Sequence, residues 1–497
     1  MALAVVLAVV GCTPPRHQAP LTPRPSPVVP EGLAPELVEL YSQTPEWVEC
    51  GELHCAKMRV PLDWDAPGEG EIELSLAMDP ADGERQGVLF LNPGGPGGSG
   101  VELAESASII LGDEVLEAFD VVGFDPRGVG GSSPVRCLDG PGTDALFGRD
   151  FDHESEAGLA EAFAAWEAFG QACLERTGEV LGHIGTVSAA KDLDVLRAVL
   201  GDEKLHYLGY SYGTELGATY AALFPERVGR LVLDGAVDPT LSPRELNLGQ
   251  AEGFENALRS YVEYCHSLAD CPLTGSVEES LGQIHELSER ARRSPLRTSD
   301  PERTVTATLM FYGAAITLYD NRSWRVLTDA IREVLEEGTA DTFLYLADFY
   351  FEREEDGSYP SNKTEAFHAI SCADGRADTD PATMRAEAAE LLSVAPTLGK
   401  AFAFAGLPCA RWPVPVDEQV EDFSAQGAAP IVVIGTTNDP ATPYAWAQNL
   451  AKILHPAVLV TFEGEGHTAY GRSNACIEEA VEDYLVEGIV PQDGLWC

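Results

Sequence analysis

Five residues, Gly209-Tyr210-Ser211-Tyr212-Gly213, restrict this chain more than any other feature. They follow a short apolar run at 205–208 and precede a stretch of helical spacing at 214–224. A serine framed by glycines at a sharp strand-to-helix turn needs those glycines because side chains there would clash. Such a turn lifts the serine hydroxyl to the carboxyl edge of a sheet, so the chain around it must build strands joined by crossover helices. From about 55 to 235 short apolar runs do alternate with helical patterns. Strands are expected at 71–78, 88–91, 120–124, 205–208 and 230–233, and Leu193, Leu196 and Leu200 give a segment between them helical spacing.

After Asp238 the texture changes. From 241 to 425 the chain reads as successive amphipathic helices, for example 277–293 and 324–337, without alternation of β type. The β/α rhythm then returns: a strand at 430–435, a helix near 446–454, a strand at 457–462 and a last helix at 475–486. The expectation is an α/β fold, a mostly parallel sheet with an inserted helical cap. Residues 36–240 and 426–497 would form the core and 241–425 the cap.

A nucleophilic serine needs a base and a carboxylate that orients the base, in the chain order serine, acid, histidine for a serine at such a turn. Ser211 is followed by Asp439, at the end of a strand in Asn438-Asp439-Pro440-Ala441-Thr442-Pro443, and by His467, in Gly464-Glu465-Gly466-His467 past the next strand. Asp234, closing Leu231-Val232-Leu233, is the alternative acid. The attacked carbonyl becomes an alkoxide and must meet preorganised N–H donors. Asn92-Pro93-Gly94-Gly95-Pro96-Gly97-Gly98-Ser99-Gly100 offers them, with the amide of Tyr212 as the second donor. The same stretch also fits a dinucleotide fingerprint, Gly95-x-Gly97-x-x-Gly100 with Asp120 twenty residues on, but Pro96 removes an amide that a pyrophosphate would use. The chemistry read from these residues calls for no cofactor and no metal; C-x-x-C and H-E-x-x-H spacings are absent.

The segments NPGGPGGSG, FDVVGFDPRGVGGSS, GYSYGTELG, LVLDGAVDP, NDPATP and GEGH together resemble those of secreted bacterial tripeptidyl aminopeptidases, α/β-hydrolases related to proline iminopeptidases. The resemblance runs over about residues 45 to 497. It implies a serine exopeptidase acting on peptides with free N-termini, with Ser211, Asp439 and His467 as its triad and Gly94, Gly95 and Tyr212 around the oxyanion. Proline iminopeptidases carry His-Gly-Gly-Pro-Gly where this chain has Pro93-Gly94-Gly95-Pro96-Gly97, so strict single-proline specificity does not carry over. An exopeptidase must hold a substrate ammonium, which calls for a buried carboxylate. Glu215, about one helical turn after Ser211, Asp374 in Ser371-Cys372-Ala373-Asp374-Gly375, and the acidic run 352–356 are the candidates. A carboxylesterase with the same triad, and an idle hydrolase fold used for binding, are the competing readings.

Compartment is read from the ends and the cysteines. Residues 1–11 are almost wholly apolar, about half of what a bilayer-spanning helix needs, and Val9-Val10-Gly11-Cys12 resembles a bacterial lipobox. The expectation is a signal peptide over 1–11, lipidation of Cys12, and a Pro-rich tether over 12–35 to the cell envelope. Of the 11 cysteines, those other than Cys12 can pair as disulfides in an oxidising compartment. Sequence order suggests Cys50 with Cys55, Cys137 with Cys173, Cys265 with Cys271, Cys372 with Cys409 and Cys476 with Cys497, one arrangement among many. Asp and Glu outnumber Lys and Arg by 80 to 32, and a net charge of −48 repels a phosphate backbone. Nucleic acid is therefore not an expected partner, and the membrane is one only through a lipid on Cys12.

Overall fold

The computed structural model describes residues 25–376, 378–455 and 457–497. Cys12 and the residues before 25 lie outside them. Strands β1 (Val48–Cys50), β2 (Leu53–Pro61), β3 (Glu71–Asp79), β4 (Gly87–Asn92), β5 (Phe119–Phe124), β6 (Leu205–Tyr210) and β7 (Val228–Asp234) come first in the chain. The two-residue strands β8 (Leu296–Arg297) and β9 (Thr304–Val305) come next, then β10 (Ile431–Asn438), β11 (Ala457–Glu465) and β12 (Leu495–Trp496). All but β8 and β9 join one sheet in the order β1-β2-β3-β5-β4-β6-β7-β10-β11-β12. It is antiparallel from β1 to β5 and parallel from β5 onward.

The main helices are α1 (Glu156–Thr177), α2 (Thr186–Val199), α3 (Tyr212–Leu223), α4 (Pro243–Ser267), α5 (Val277–Arg293), α6 (Ala307–Leu318), α7 (Trp324–Arg332), α8 (Asp341–Phe351), α9 (Lys363–Asp374), α10 (Tyr444–Ile453) and α11 (Ala475–Glu482). The sheet is covered on both faces, as continuous apolar strands such as Val88-Leu89-Phe90-Leu91 require. Leu193 and Leu196 of α2 and Leu450 of α10 pack on one face. Ile477 and Val481 of α11 pack on the other.

Between β7 and β10 the helices form their own core, in which Phe254 and Tyr261 of α4, Leu287 of α5, Met310 of α6, Leu327 of α7 and Phe343 of α8 meet. Helix α5 begins and ends where its sequence dictates: Ser276 and Glu279 form a reciprocal cap, and Arg290, Arg292 and Arg293 sit against the negative end of the dipole. A further cluster ties the chain between β5 and α2 to α9, with Phe147, Phe169 of α1 and Cys173 packed on Ala366, Ile370 and Trp412. The disulfides Cys137–Cys173 and Cys372–Cys409 flank that contact. All five bonds pair the cysteines in the order expected from the sequence. Among the described residues no helix is long and apolar enough to cross a membrane.

Within 241 to 425, β8 and β9 form a small antiparallel ribbon. Two residues per strand are too few to show an alternation. One sequence expectation is corrected, that the first strand lies at 71–78. The sheet begins before residue 71. In β2 the exposed Lys57 alternates with buried Ala56 and Met58, and Lys57 and Arg59 mask the apolar pattern.

Candidate active site

The register of the parallel strands brings five loops to one edge. Asn92 of β4 lies opposite Gly209 of β6, Tyr210 opposite Asp234 of β7, Asp234 opposite Ile434 of β10, and Asn438 opposite Glu465 of β11. The loops leaving these strands therefore meet at the carboxyl end of the sheet. Ser211 comes directly after β6 with φ 55° and ψ −124°, a backbone conformation costly for any residue with a side chain and found mostly where structure is built for function. Its own contacts hold it there: its N–H donates to Asp234 O at 2.9 Å, and its carbonyl accepts the Thr214 hydroxyl at 2.6 Å. Gly209 is obligatory, because a Cβ would stand 2.4 Å from Gly213 O.

His467 meets Asp439. The ring Nδ1 is 2.9 Å from both carboxylate oxygens, which also accept the N–H groups of Ala441 and Thr442 at 2.9 Å, the Thr442 hydroxyl at 3.0 Å and the Thr468 N–H at 3.2 Å. Asp439 is buried and fully satisfied. With its proton on Nδ1 the imidazole presents Nε2 as the acceptor, the tautomer that a general base requires. Thr442 Oγ1 also lies 3.3 Å from Nδ1. Asp234 has another task. Its carboxylate accepts the N–H groups of Ala469 and Tyr470 at 3.0 and 2.8 Å, and it is buried, which pushes its pKa up to about 6. It pins the loop after His467 and makes no hydrogen bond to the imidazole among the described residues. Ser211 and His467 line one cavity without a direct hydrogen bond, a common geometry in a resting site.

The glycine loop corrects one expectation. Gly94 is at the site, but its N–H is taken by the Asn92 side chain at 2.9 Å and is not a free donor. Gly94 is needed for closeness instead: a Cβ there would stand 2.4 Å from Tyr210 O and 2.9 Å from Tyr212 N. The N–H groups of Gly95 and Tyr212 have no acceptor among the described residues, as an oxyanion hole requires.

The acidic candidates separate. Glu215 and Asp374 line the same cavity, which holds about 2240 Å³. Asp374 accepts the N–H and hydroxyl of Thr186 at 2.7 and 2.6 Å, and that hydroxyl also meets the Tyr212 hydroxyl. Glu215 accepts no hydrogen bond among the described residues. Burial, then the neighbouring Asp374, push the Glu215 pKa up to about 8. Burial pushes Asp374 up to about 7 against its hydrogen bonds from Thr186, with Asp417 adding to the rise. In the run 352–356, Glu352 lines the cavity but is paired with Lys363 at 2.8 Å, and Glu354, Glu355 and Asp356 are exposed. Sequence reasoning missed Asn92, Thr186, Thr442 and Tyr319. Thr442 lay in plain view three residues after Asp439, whereas Thr186 and Tyr319 carry no local signal.

A family model described as alpha/beta hydrolase fold matches residues 87–471. The chain is 40% identical over 478 residues to "Serine protease Hip1" of Mycobacterium tuberculosis, covering 92% of this chain and 91% of that protein. It is 38% identical over 449 residues to "Carboxylesterase B" of the same species, covering 89% and 86%. With "Tripeptidyl aminopeptidase" of Streptomyces coelicolor the identity is 31% over 466 residues, covering 89% and 84%.

Proposed function

This chain belongs to the alpha/beta hydrolase fold family, and on that footing we propose that it is an exported serine exopeptidase releasing short peptides, tripeptides among them, or single residues from free N-termini. Ser211 Oγ attacks the scissile carbonyl carbon while His467 Nε2 takes the hydroxyl proton, and Asp439 holds the imidazole in the required tautomer. The N–H groups of Gly95 and Tyr212 receive the oxyanion. As the C–N bond breaks, His467 hands the proton to the leaving amine, and water then opens the acyl-enzyme by the same route.

One observation carries the exopeptidase reading: Glu215 and Asp374, both half-buried, line the cavity that Ser211 also lines and have no ion-pair partner among the described residues. Asp374 raises the pKa of Glu215, and a bound ammonium relieves both that repulsion and the desolvation of the two carboxylates. The cavity exceeds the roughly 300–1,000 Å³ of ordinary small-molecule pockets, which suits an oligopeptide. The five disulfides support an oxidising compartment, and lipidation of Cys12 is part of the proposal.

The experiment is a panel of aminoacyl, dipeptidyl, tripeptidyl and N-blocked chromogenic substrates together with small esters. Free-amine substrates should be preferred, and the best of them fixes the number of residues released. The 38% identity to a carboxylesterase favours the second reading, an esterase with the same machinery. A preference for N-blocked compounds or esters would establish it.

A further inference from the structure

Tyrosine hydroxyls in the interior of this protein have partners: Tyr41 and Tyr220 donate to Asp194, Tyr207 to Gly213 O, Tyr261 to Thr328 and Tyr484 to Pro430 O. That is the usual rule, since a buried hydroxyl left without a partner is costly. Tyr312, Tyr319 and Tyr350 differ from these together: they are half-buried at the cavity wall. All three line the cavity, burial raises the pKa of each, and none of their hydroxyls has a hydrogen-bond partner among the described residues. Tyr312 lies on α6 and Tyr319 just past its end, two turns apart on one face, and the Tyr312 and Tyr350 rings are 4.6 Å apart. Helix α6, the residue after it and the end of α8 thus line the cavity with hydroxyls that no hydrogen bond among the described residues uses.

Tyr319 is the member next to the reacting groups. Its carbonyl accepts the His467 N–H at 2.8 Å, and its ring centroid is 5.4 Å from that of His467. Sheet order gives the direction of a bound peptide. His467 comes after β11, on one side of β6 and Ser211. Asp374 is bonded to Thr186, two residues past Ile184, and Ile184 stands against Gly128 in the loop after β5, on the other side of β6. A substrate whose ammonium meets Glu215 and Asp374 therefore runs from the β5 side, past Ser211, to the β11 side. The nitrogen that takes its proton from His467 belongs to the residue entering that second side, under Tyr319.

We propose that Tyr319 forms a leaving-side subsite, its hydroxyl donating a hydrogen bond to the main-chain carbonyl of the first residue beyond the scissile bond. The substrate class is then a peptide that continues past the cleavage point, rather than an amide or ester with a small leaving group. The inference rests on the peptidase reading of this site and deepens it.

The test compares two substrates with the same free-amine tripeptidyl acyl part, one carrying p-nitroaniline and the other a further tripeptide. Wild type and Tyr319→Phe are assayed on both, with folded enzyme counted by titrating Ser211 with a phosphonylating reagent. The variant should lose about five- to tenfold in kcat/KM on the hexapeptide and less than about twofold on the anilide. The pH profile of the anilide should not move. An equal loss on both substrates, or a shifted profile, would mean that Tyr319 acts through His467, and overturns the subsite. Wild type that cleaves the anilide but not the hexapeptide overturns it as well. If wild type cleaves neither, the peptidase reading falls and takes this inference with it.

Discussion

Carboxylates stand on both sides of Ser211, and their surroundings differ. On the β11 side Asp439 accepts two backbone N–H groups, the Thr442 hydroxyl, the Thr468 N–H and the His467 imidazole. On the β5 side Asp374 receives only Thr186, and Glu215 receives nothing among the described residues. A carboxylate saturated by fixed donors has one orientation and transmits it, which suits holding a histidine. A pair left short of donors keeps an electrostatic deficit that a ligand cation can fill. The orienting carboxylate and the proposed recognition pair thus differ in their hydrogen bonds, not in residue type.

The contrast breaks most plainly at Asp439. Asp439→Asn should lower kcat by about 10⁴-fold on every substrate, esters included, because the amide favours the wrong imidazole tautomer. Steady-state kinetics on a tripeptidyl anilide and a small neutral ester check this. Asp234→Asn should instead lower stability, since its carboxylate holds the loop after His467. If Asp234→Asn were the more damaging to kcat, the two acids would have to exchange roles.

Glu215→Gln and Asp374→Asn should act selectively, costing about 10²-fold in kcat/KM on free-amine peptides and almost nothing on the ester. Equal losses on both would remove the amine-anchor role. Thr442→Val should cost about tenfold or less on all substrates, since it deletes one of the Asp439 hydrogen bonds and leaves the others.

The pH dependences are smaller and have opposite signs. Ammonium binding needs Glu215 and Asp374 ionised, so affinity for a free-amine substrate should rise with pH through about 7 to 8 and fall again as the substrate amine loses its proton near about 8. An N-blocked substrate should lack that bell. For folding the sign reverses. Both pKa values are raised above those of the unfolded chain, so the stability contributed by the protonated groups is full below about pH 4. It is lost as pH rises through 7 to 8. Glu215→Gln should therefore melt a few degrees above wild type at pH 8.5 and close to it at pH 5, as read by thermal unfolding.

Much of this architecture was legible in the chain itself. The elbow at 209–213, the apolar runs that became β4 to β7, β10 and β11, and helix α5 with its cap were local signals, because a strand or helix next to a glycine turn declares itself within a dozen residues. The cysteines pair in sequence order, and chain order and strand position single out Ser211 and His467 and leave Asp439, with Asp234 as the alternative, for the acid.

Tertiary structure decided the rest. It brought Asp439 rather than Asp234 to the imidazole, two carboxylates that each end a strand and look alike in one dimension. It also gave the Gly94 amide to Asn92 and left those of Gly95 and Tyr212 open. Thr186 joined Asp374 across 188 residues of chain, and Tyr319 came to lie against His467. The sequence determines which groups stand at the ends of strands, since periodicity and turn chemistry are local. Which donors and acceptors then find one another is set by sheet order and by the helices packed over the site, contacts that no short window of residues contains.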